Sequence, residues 1–149
     1  MDKHYPTQSK DWIKKLNVKD ILEQNSCIFL WVTDAHIKEG IEVMESWGFK
    51  YVTVAFIWEK VTKNGITVAN LGSWTMKNYE ICLFGTKGRM LQHKKCNNIY
   101  QKVVAERTKH SKKPHEVRKR IELLFGDLPR IELFAREKAE GWDVWGNEV

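Results

Sequence analysis

No run in this 149-residue sequence approaches the roughly 18 apolar residues that a membrane-crossing helix needs. The opening "MDKHYPTQSK" has no apolar stretch of the kind that marks a signal peptide. Cysteine is scarce: three residues, an odd number, with no CxxC pair, which argues against a disulfide framework and against structural zinc. Cys27 and Cys82 lie inside apolar runs and are expected to be buried thiols, so a cytoplasmic protein in a reducing compartment is expected. Neither GxGxxG nor GxxxxGK(S/T) occurs, and HExxH and GxSxG are missing too. The common phosphate loops, zinc-protease helices and serine nucleophile elbows are thereby excluded. "GTKGRM" (85–90) has two glycines but no convincing helix after it, and reads as a turn. The five histidines, at 4, 36, 93, 110 and 115, are scattered and are expected to be structural or on the surface.

What is present is an ordinary globular composition, 42% hydrophobic and 30% charged, in a length suited to one domain, 1–149. The net charge of +6 is unevenly spread. Residues 86–120 carry twelve Lys or Arg against two Glu, while the rest of the chain is acidic on balance. Such a segment is either a solvated surface or a phosphate-contacting face. Its basic residues are interleaved with Asn97, Asn98 and His93, which favours nucleic acid. The candidate backbone contacts are Lys87, Arg89, Lys94, Lys95, Arg107, Lys109 and Lys112.

Helical and extended patterns alternate along the chain. "SKDWIKKL" (9–16) reads as a short helix capped by Ser9, and "CIFLWV" (27–32) as a strand covered on both faces. Thr33 or Asp34 then caps a helix on which Ile37, Ile41, Met44 and Trp47 share a face, ended by Gly48. Residues 50–60 and 79–85 read as strands with a turn at 63–65, and 99–106 as a short strand. Pro114 opens a helix that carries Val117, Ile121 and Leu124 before Gly126. "RIELFAR" (130–136) and "WDVWG" (142–146) complete the pattern. The expected fold is α/β, a mostly parallel sheet with helices on both faces. In such sheets ligands bind beyond the carboxyl ends of the strands, where the polar residues after the last two strands would gather. Trp142 and Trp145 are too large and apolar to be left in water, and are expected to be buried.

Seven segments occur in an order that resembles a known family: "HYPT" (4–7), "FLWVT" (29–33), "EVMESWGFKY" (42–51), "NYEICLFGTKG" (78–88), "HSKKPHEV" (110–117), "IELFAR" (131–136) and "GWDVWGNEV" (141–149). Together they resemble the S-adenosylmethionine-dependent adenine amino-group methyltransferases. That family includes the eukaryotic messenger-RNA adenosine methyltransferase and its bacterial and phage relatives. The resemblance covers essentially the whole chain and implies a Rossmann-like methyltransferase sheet. It implies that Lys113, Glu132, Arg136, Lys138, Asn147 and Glu148 bind the cofactor S-adenosylmethionine, with Asn147 and Glu148 on its ribose. It further implies that Tyr5, Thr33, Glu80 and Lys113 border the target adenosine.

One departure is large. The family's catalytic signature, Asp-Pro-Pro-Trp, accepts hydrogen bonds from the adenine amino group and aims its lone pair at the methyl sulfonium. It occurs nowhere here: the only prolines are Pro6, Pro114 and Pro129. The expectation is an N-terminally truncated or inactive methyltransferase with no catalytic residue of its own, whose full gene encodes the missing strand. The alternative is a non-catalytic nucleic-acid-binding relative that supports an active partner subunit or forms a homodimer. Nucleic acid is the expected partner, DNA favoured over RNA.

Overall fold

The structure is a computed structural model that describes residues 10–108, 112–134 and 138–145. In chain order its elements are α1 (Lys10–Lys14), β1 (Ser26–Val32), α2 (Ile37–Ser46), β2 (Lys50–Val61), β3 (Tyr79–Lys87), β4 (Lys102–Glu106), α3 (His115–Phe125), β5 (Ile131–Leu133) and β6 (Asp143–Trp145). Short 3-10 turns sit at Val18–Ile21, Asp34–His36 and Leu91–His93. Among the described residues no helix is long and apolar enough to cross a membrane.

The α/β composition is as expected, but the sheet is mixed rather than mostly parallel. Four strands run in the order β1-β3-β2-β4, and β5 and β6 form a separate parallel pair. β3 is antiparallel to both β1 and β2, and β4 is parallel to β2. The connections explain this. A parallel return needs a crossover of a dozen or more residues, usually helical. α2 supplies one between β1 and β2, which therefore point the same way. Residues 62–78, between β2 and β3, contain no helix, so the chain doubles back and β3 inserts between β1 and β2. The turn expected at 63–65 starts that excursion, with Gly65 at φ 80° and its N–H donated to the Thr62 carbonyl.

Helices cover both faces, as the sequence predicted. Neighbouring β3 residues point to opposite sides. Leu83 joins Val18, Val43, Met44, Trp47 and Phe49 beneath α2, whereas Cys82 joins Phe56, Trp58, Val103, Val117 and Ile121 beneath α3. β1 serves both layers: Ile28, Leu30 and Val32 pack against the first cluster, Phe29 and Trp31 against the second. Each large apolar side chain so buried contributes roughly 1.5–3 kcal/mol. Cys82 is fully buried and Cys27 half-buried, and burial pushes the Cys27 thiol up to about 12.

The local differences have local causes. Gly48, at φ 92°, ends α2 as expected. The α2 start differs: Thr33 and Asp34 enter a 3-10 turn, His36 occupies the N-cap, and no side chain caps it. Ser9, the expected α1 cap, lies outside the described residues. Of the described residues of "RIELFAR", Ile131–Leu133 are strand, and Phe134 leaves it at φ 59°, a left-handed conformation. Trp142 is half-buried against the α3-side cluster and donates Nε1–H to Glu122 at 3.0 Å. Trp145, expected to be buried, is 47% exposed and meets Phe134 edge to face. Among the described residues, β6 pairs with β5 alone.

Candidate functional site

The carboxyl ends of β1 and β2 meet the amino end of β3. There, Val32 pairs with Ile81 and Trp58 with Glu80. Thr33 and Glu80 are thus each one residue beyond the last β1–β3 pair, at the same end of the sheet. Lys113, just before α3, reaches this point and donates to Glu80 Oε1 at 2.5 Å. Lys60 Nζ approaches Glu80 Oε2 at 3.3 Å. The two expected substrate-binding residues, from segments far apart in sequence, are therefore brought into contact. All three side chains are largely shielded, at 12% (Lys60), 19% (Glu80) and 27% (Lys113) exposure. For Glu80, burial is the largest influence and raises the carboxyl. The ammonium groups of Lys113 and then Lys60 together outweigh it and hold the carboxyl below its usual value.

Aromatic faces back this cluster. Lys113 Nζ lies 5.4 Å from the Trp31 ring centroid and Lys60 Nζ 6.0 Å from that of Trp58. The two indoles meet edge to face at 6.2 Å, and Trp58 is fixed by donating Nε1–H to the Ala105 carbonyl at 3.0 Å. The arrangement offers a cation, an anion and an indole face at one place, a combination suited to a planar, polar ligand.

From this end a groove of about 980 Å³ runs the length of β1, between it and β5. Trp31, Lys112, Lys113 and Glu132 line it, together with the apolar residues of β1, α3 and β5. Glu132, the expected cofactor carboxylate on β5, accepts from Arg118 Nη1 at 3.1 Å. Arg118 Nη2 also meets His115 Nδ1 at 3.3 Å. Lys138 lies exposed in the loop between β5 and β6. Thr33 is exposed, and its Oγ1 bonds His36 Nδ1 at 2.7 Å. Tyr5, Arg136, Asn147 and Glu148 fall outside the described residues.

The basic residues do not form one face. Lys87 pairs with Ser26 across β3 and β1, Lys87 Nζ reaches the Glu23 carbonyl at 3.5 Å, and the Arg89 N–H donates to Asn25 Oδ1 at 2.9 Å. Those two therefore sit at the amino end of β1, opposite the Glu80 cluster. Lys94 and Lys95 lie by the carboxyl end of α3, where the Lys95 N–H bonds the Leu124 carbonyl. Arg107, whose N–H bonds the Val61 carbonyl, and Lys112 lie at the carboxyl end of β1 and β2. Lys109 is outside the described residues. Four other members of the basic segment spend their charge internally: Lys102 on Glu59, Lys113 on Glu80, Arg118 on Glu132 and Arg120 on Glu116.

Sequence reasoning missed Lys60 and Arg118. Lys60 lies near the end of β2, inside the stretch 50–60 read as a strand, and its position two residues after Trp58 places it at the sheet end. Arg118 follows His115 by three on α3, a spacing that puts both on one helix face, and that was the available signal.

Comparison with known proteins adds the following. The family described as MT-A70 matches residues 2–148. The chain is 37% identical over 145 residues to the type II methyltransferase M.MunI of a Mycoplasma species, a match taking in 97% of this chain and 60% of that protein. It is 33% identical over 153 residues to the probable N(6)-adenosine-methyltransferase MT-A70-like of Oryza sativa subsp. japonica, covering 100% of this chain and 21% of that one. It is 32% identical over 156 residues to the human N(6)-adenosine-methyltransferase catalytic subunit METTL3, covering 100% of this chain and 26% of that protein.

Proposed function

We propose, from the premise that this chain belongs to the MT-A70 family, that it forms the cofactor- and base-binding part of an S-adenosylmethionine-dependent methyltransferase acting on the exocyclic amino group of adenine. The observation that carries this reading is the meeting of Glu80, Lys113 and Trp31 at the carboxyl end of β1, with Glu132 on the same groove. This is where an α/β sheet offers a ligand its polar groups.

The groups present suit the proposed cofactor. It carries a carboxylate, an ammonium, a ribose and an adenine. Lys113 is a cation able to face a carboxylate, and Glu132 is an acceptor able to take donors from a ribose or an ammonium. Bound there, S-adenosylmethionine would supply an electrophilic methyl group. The chain's own residues would hold and orient. Glu80 would accept from a base edge, Lys113 would stand between cofactor and base, and Arg118 would keep the Glu132 carboxylate aimed into the groove. Arg136, Lys138, Asn147 and Glu148 would complete the cofactor side, and Tyr5 and Thr33 the base side. Of the basic residues, Arg107 and Lys112 stand where a nucleic acid presenting its base would pass. Lys87, Arg89, Lys94 and Lys95 would meet phosphates only farther along a strand.

The 149 residues contain no Asp-Pro-Pro-Trp, the motif that in the family accepts from the amino hydrogens and aims the nitrogen. Binding without turnover is the expectation for this polypeptide by itself. Titration calorimetry with S-adenosylmethionine tests the reading. Lys113→Ala and Glu132→Ala should each weaken binding several-fold, about 1 kcal/mol. No binding heat, or equal affinity with both substitutions present, would remove the site.

A further inference from the structure

The lysine- and asparagine-rich stretch "HKKCNNIY" (93–100) takes no part in the Glu80 cluster. Most of it forms the loop that leads into β4 and lies against the outer face of α3. Between loop and helix is a cleft of about 440 Å³ that shares no lining residue with the β1–β5 groove. Lys95, Asn98, Ile99 and Tyr100 line it from the loop, and Arg120 and Leu123 from α3. Leu123 is about 12 Å along α3 from His115, the residue nearest the Glu80 cluster, at 1.5 Å per residue.

The walls of this cleft are held in place without a ligand. Arg120 Nη1 donates to the carbonyls of Tyr100 at 2.8 Å and Lys102 at 2.7 Å, and its Nε–H goes to Glu116 at 2.9 Å. The Lys95 N–H bonds the Leu124 carbonyl at 2.7 Å, and the Gln101 amide donates to the Val54 carbonyl at 2.8 Å. Both ends of the loop are thus fixed, to α3 and to β2, so a ligand meets walls that need little ordering. The middle of the loop is left open. Tyr100 is 77% exposed, and Lys95 and Asn98 are exposed beside it. Among the described residues neither the Lys95 ammonium nor the Asn98 carboxamide has a side-chain partner. Arg120 spends its charge on Glu116, which leaves Lys95, with Lys94 next to it in the chain, as the cations open to a ligand.

These groups converge on one chemistry. An open aromatic ring gives a base a face to stack on. A carboxamide holds a donor and an acceptor side by side, the pattern that pairs with N6 and N7 of adenine. A lysine meets a phosphate. An acidic peptide would satisfy the lysines but leave the Tyr100 face and the Asn98 amide unused. We propose that the cleft binds one unpaired adenine nucleotide of a nucleic-acid strand, its base on Tyr100, its edge on Asn98 and its phosphate on Lys95. The proposal rests on this cleft and does not depend on the methyl-transfer reading.

Titrating the full chain with a deoxyadenylate pentamer tests it, read from the side-chain amide resonances of Asn98, assigned through Asn98→Ala. The expected result is a saturable shift. Tyr100→Ala should raise its midpoint at least about fivefold, while Tyr100→Phe, which keeps the ring face, should leave it in place. Lys95→Gln should reduce the slope of log affinity against log salt by about 0.7, the share of one single-strand phosphate. Lys113→Ala should leave the Asn98 midpoint unchanged, which separates this cleft from the Glu80 cluster. Asn98 resonances that stay fixed at saturating pentamer would overturn the proposal, as would a midpoint indifferent to Tyr100→Ala. An equal midpoint with a thymidylate or an abasic pentamer would make the cleft a phosphate patch that reads no base, and would overturn it too. So would an oligoglutamate peptide that moves Asn98 at a lower concentration than the pentamer does.

Discussion

Replacing Glu80 by Gln removes one negative charge from between two shielded lysines. The amide keeps one acceptor oxygen, so one ammonium keeps a partner and the other loses a charge-assisted bond. Such a bond contributes about 1.5–3 kcal/mol. Lys60 and Lys113 are 12% and 27% exposed, so water screens the loss only in part, and about 2 kcal/mol of destabilisation is expected. Urea unfolding at neutral pH should show a lower midpoint with an unchanged slope. The pH dependence gives a second reading. The folded-state carboxyl is held below its usual value, so its contribution is present above the ordinary carboxylate pKa of about 4.3 and is lost as pH falls through the lowered folded value. The gap between parent and variant should be constant from about pH 5 to pH 8 and should close in acid. An unchanged midpoint, or a gap that persists at the lowest pH where the fold survives, would show that the cluster is not an ion-pair network.

Trp142→Ala should cost about 2–3 kcal/mol, since that ring packs on the α3-side core and bonds Glu122, whereas Trp145→Ala should cost under about 1 kcal/mol; equal thermal shifts would contradict the assigned burial. Arg118→Ala should weaken S-adenosylmethionine binding with little change in nucleic-acid affinity, because it acts through Glu132; a calorimetric affinity equal to the parent's would sever that link. Arg107 and Lys112 changed together to Glu should reduce the slope of log affinity against log salt by about 2 in a fluorescence assay with an adenine-containing oligonucleotide. Lys87 and Arg89 changed together should alter it less, and the reverse order would place the strand on the other end of the sheet.

How much of this was legible in the sequence depends on the range of the forces involved. β1, α2 and α3 could be read because each is set by local periodicity and by Gly48, Pro114 or Gly126 at its ends. The direction of β3 was not, because it depends on whether residues 62–78 fold into a helix, and their Gly, Asn, Ser and Thr content specifies only a turn. Glu80 and Lys113 were singled out by resemblance, yet their contact follows from the register of β3 and the entry to α3, which no window of sequence contains. Trp145 was misjudged because apolar size predicts burial only where a neighbouring element exists to supply it. The even spread of basic charge along 86–120 concealed its division between opposite ends of the sheet, since β3 carries Lys87 away from the site while β4 brings Arg107 back to it.

The central claim, that the carboxyl end of the β1–β5 groove is a cofactor site, is tested most directly by the indole nitrogen–proton resonances of the tryptophans. Trp31 lies on the groove under Lys113, whereas Trp74 is 96% exposed in the loop between β2 and β3. With resonances assigned by single Trp→Phe substitutions, titration with S-adenosylmethionine should move Trp31 saturably and leave Trp74 in place, and Lys113→Ala should shift the midpoint to higher ligand concentration. A titration in which Trp31 stays fixed, or in which Trp31 and Trp74 move alike, would contradict the account.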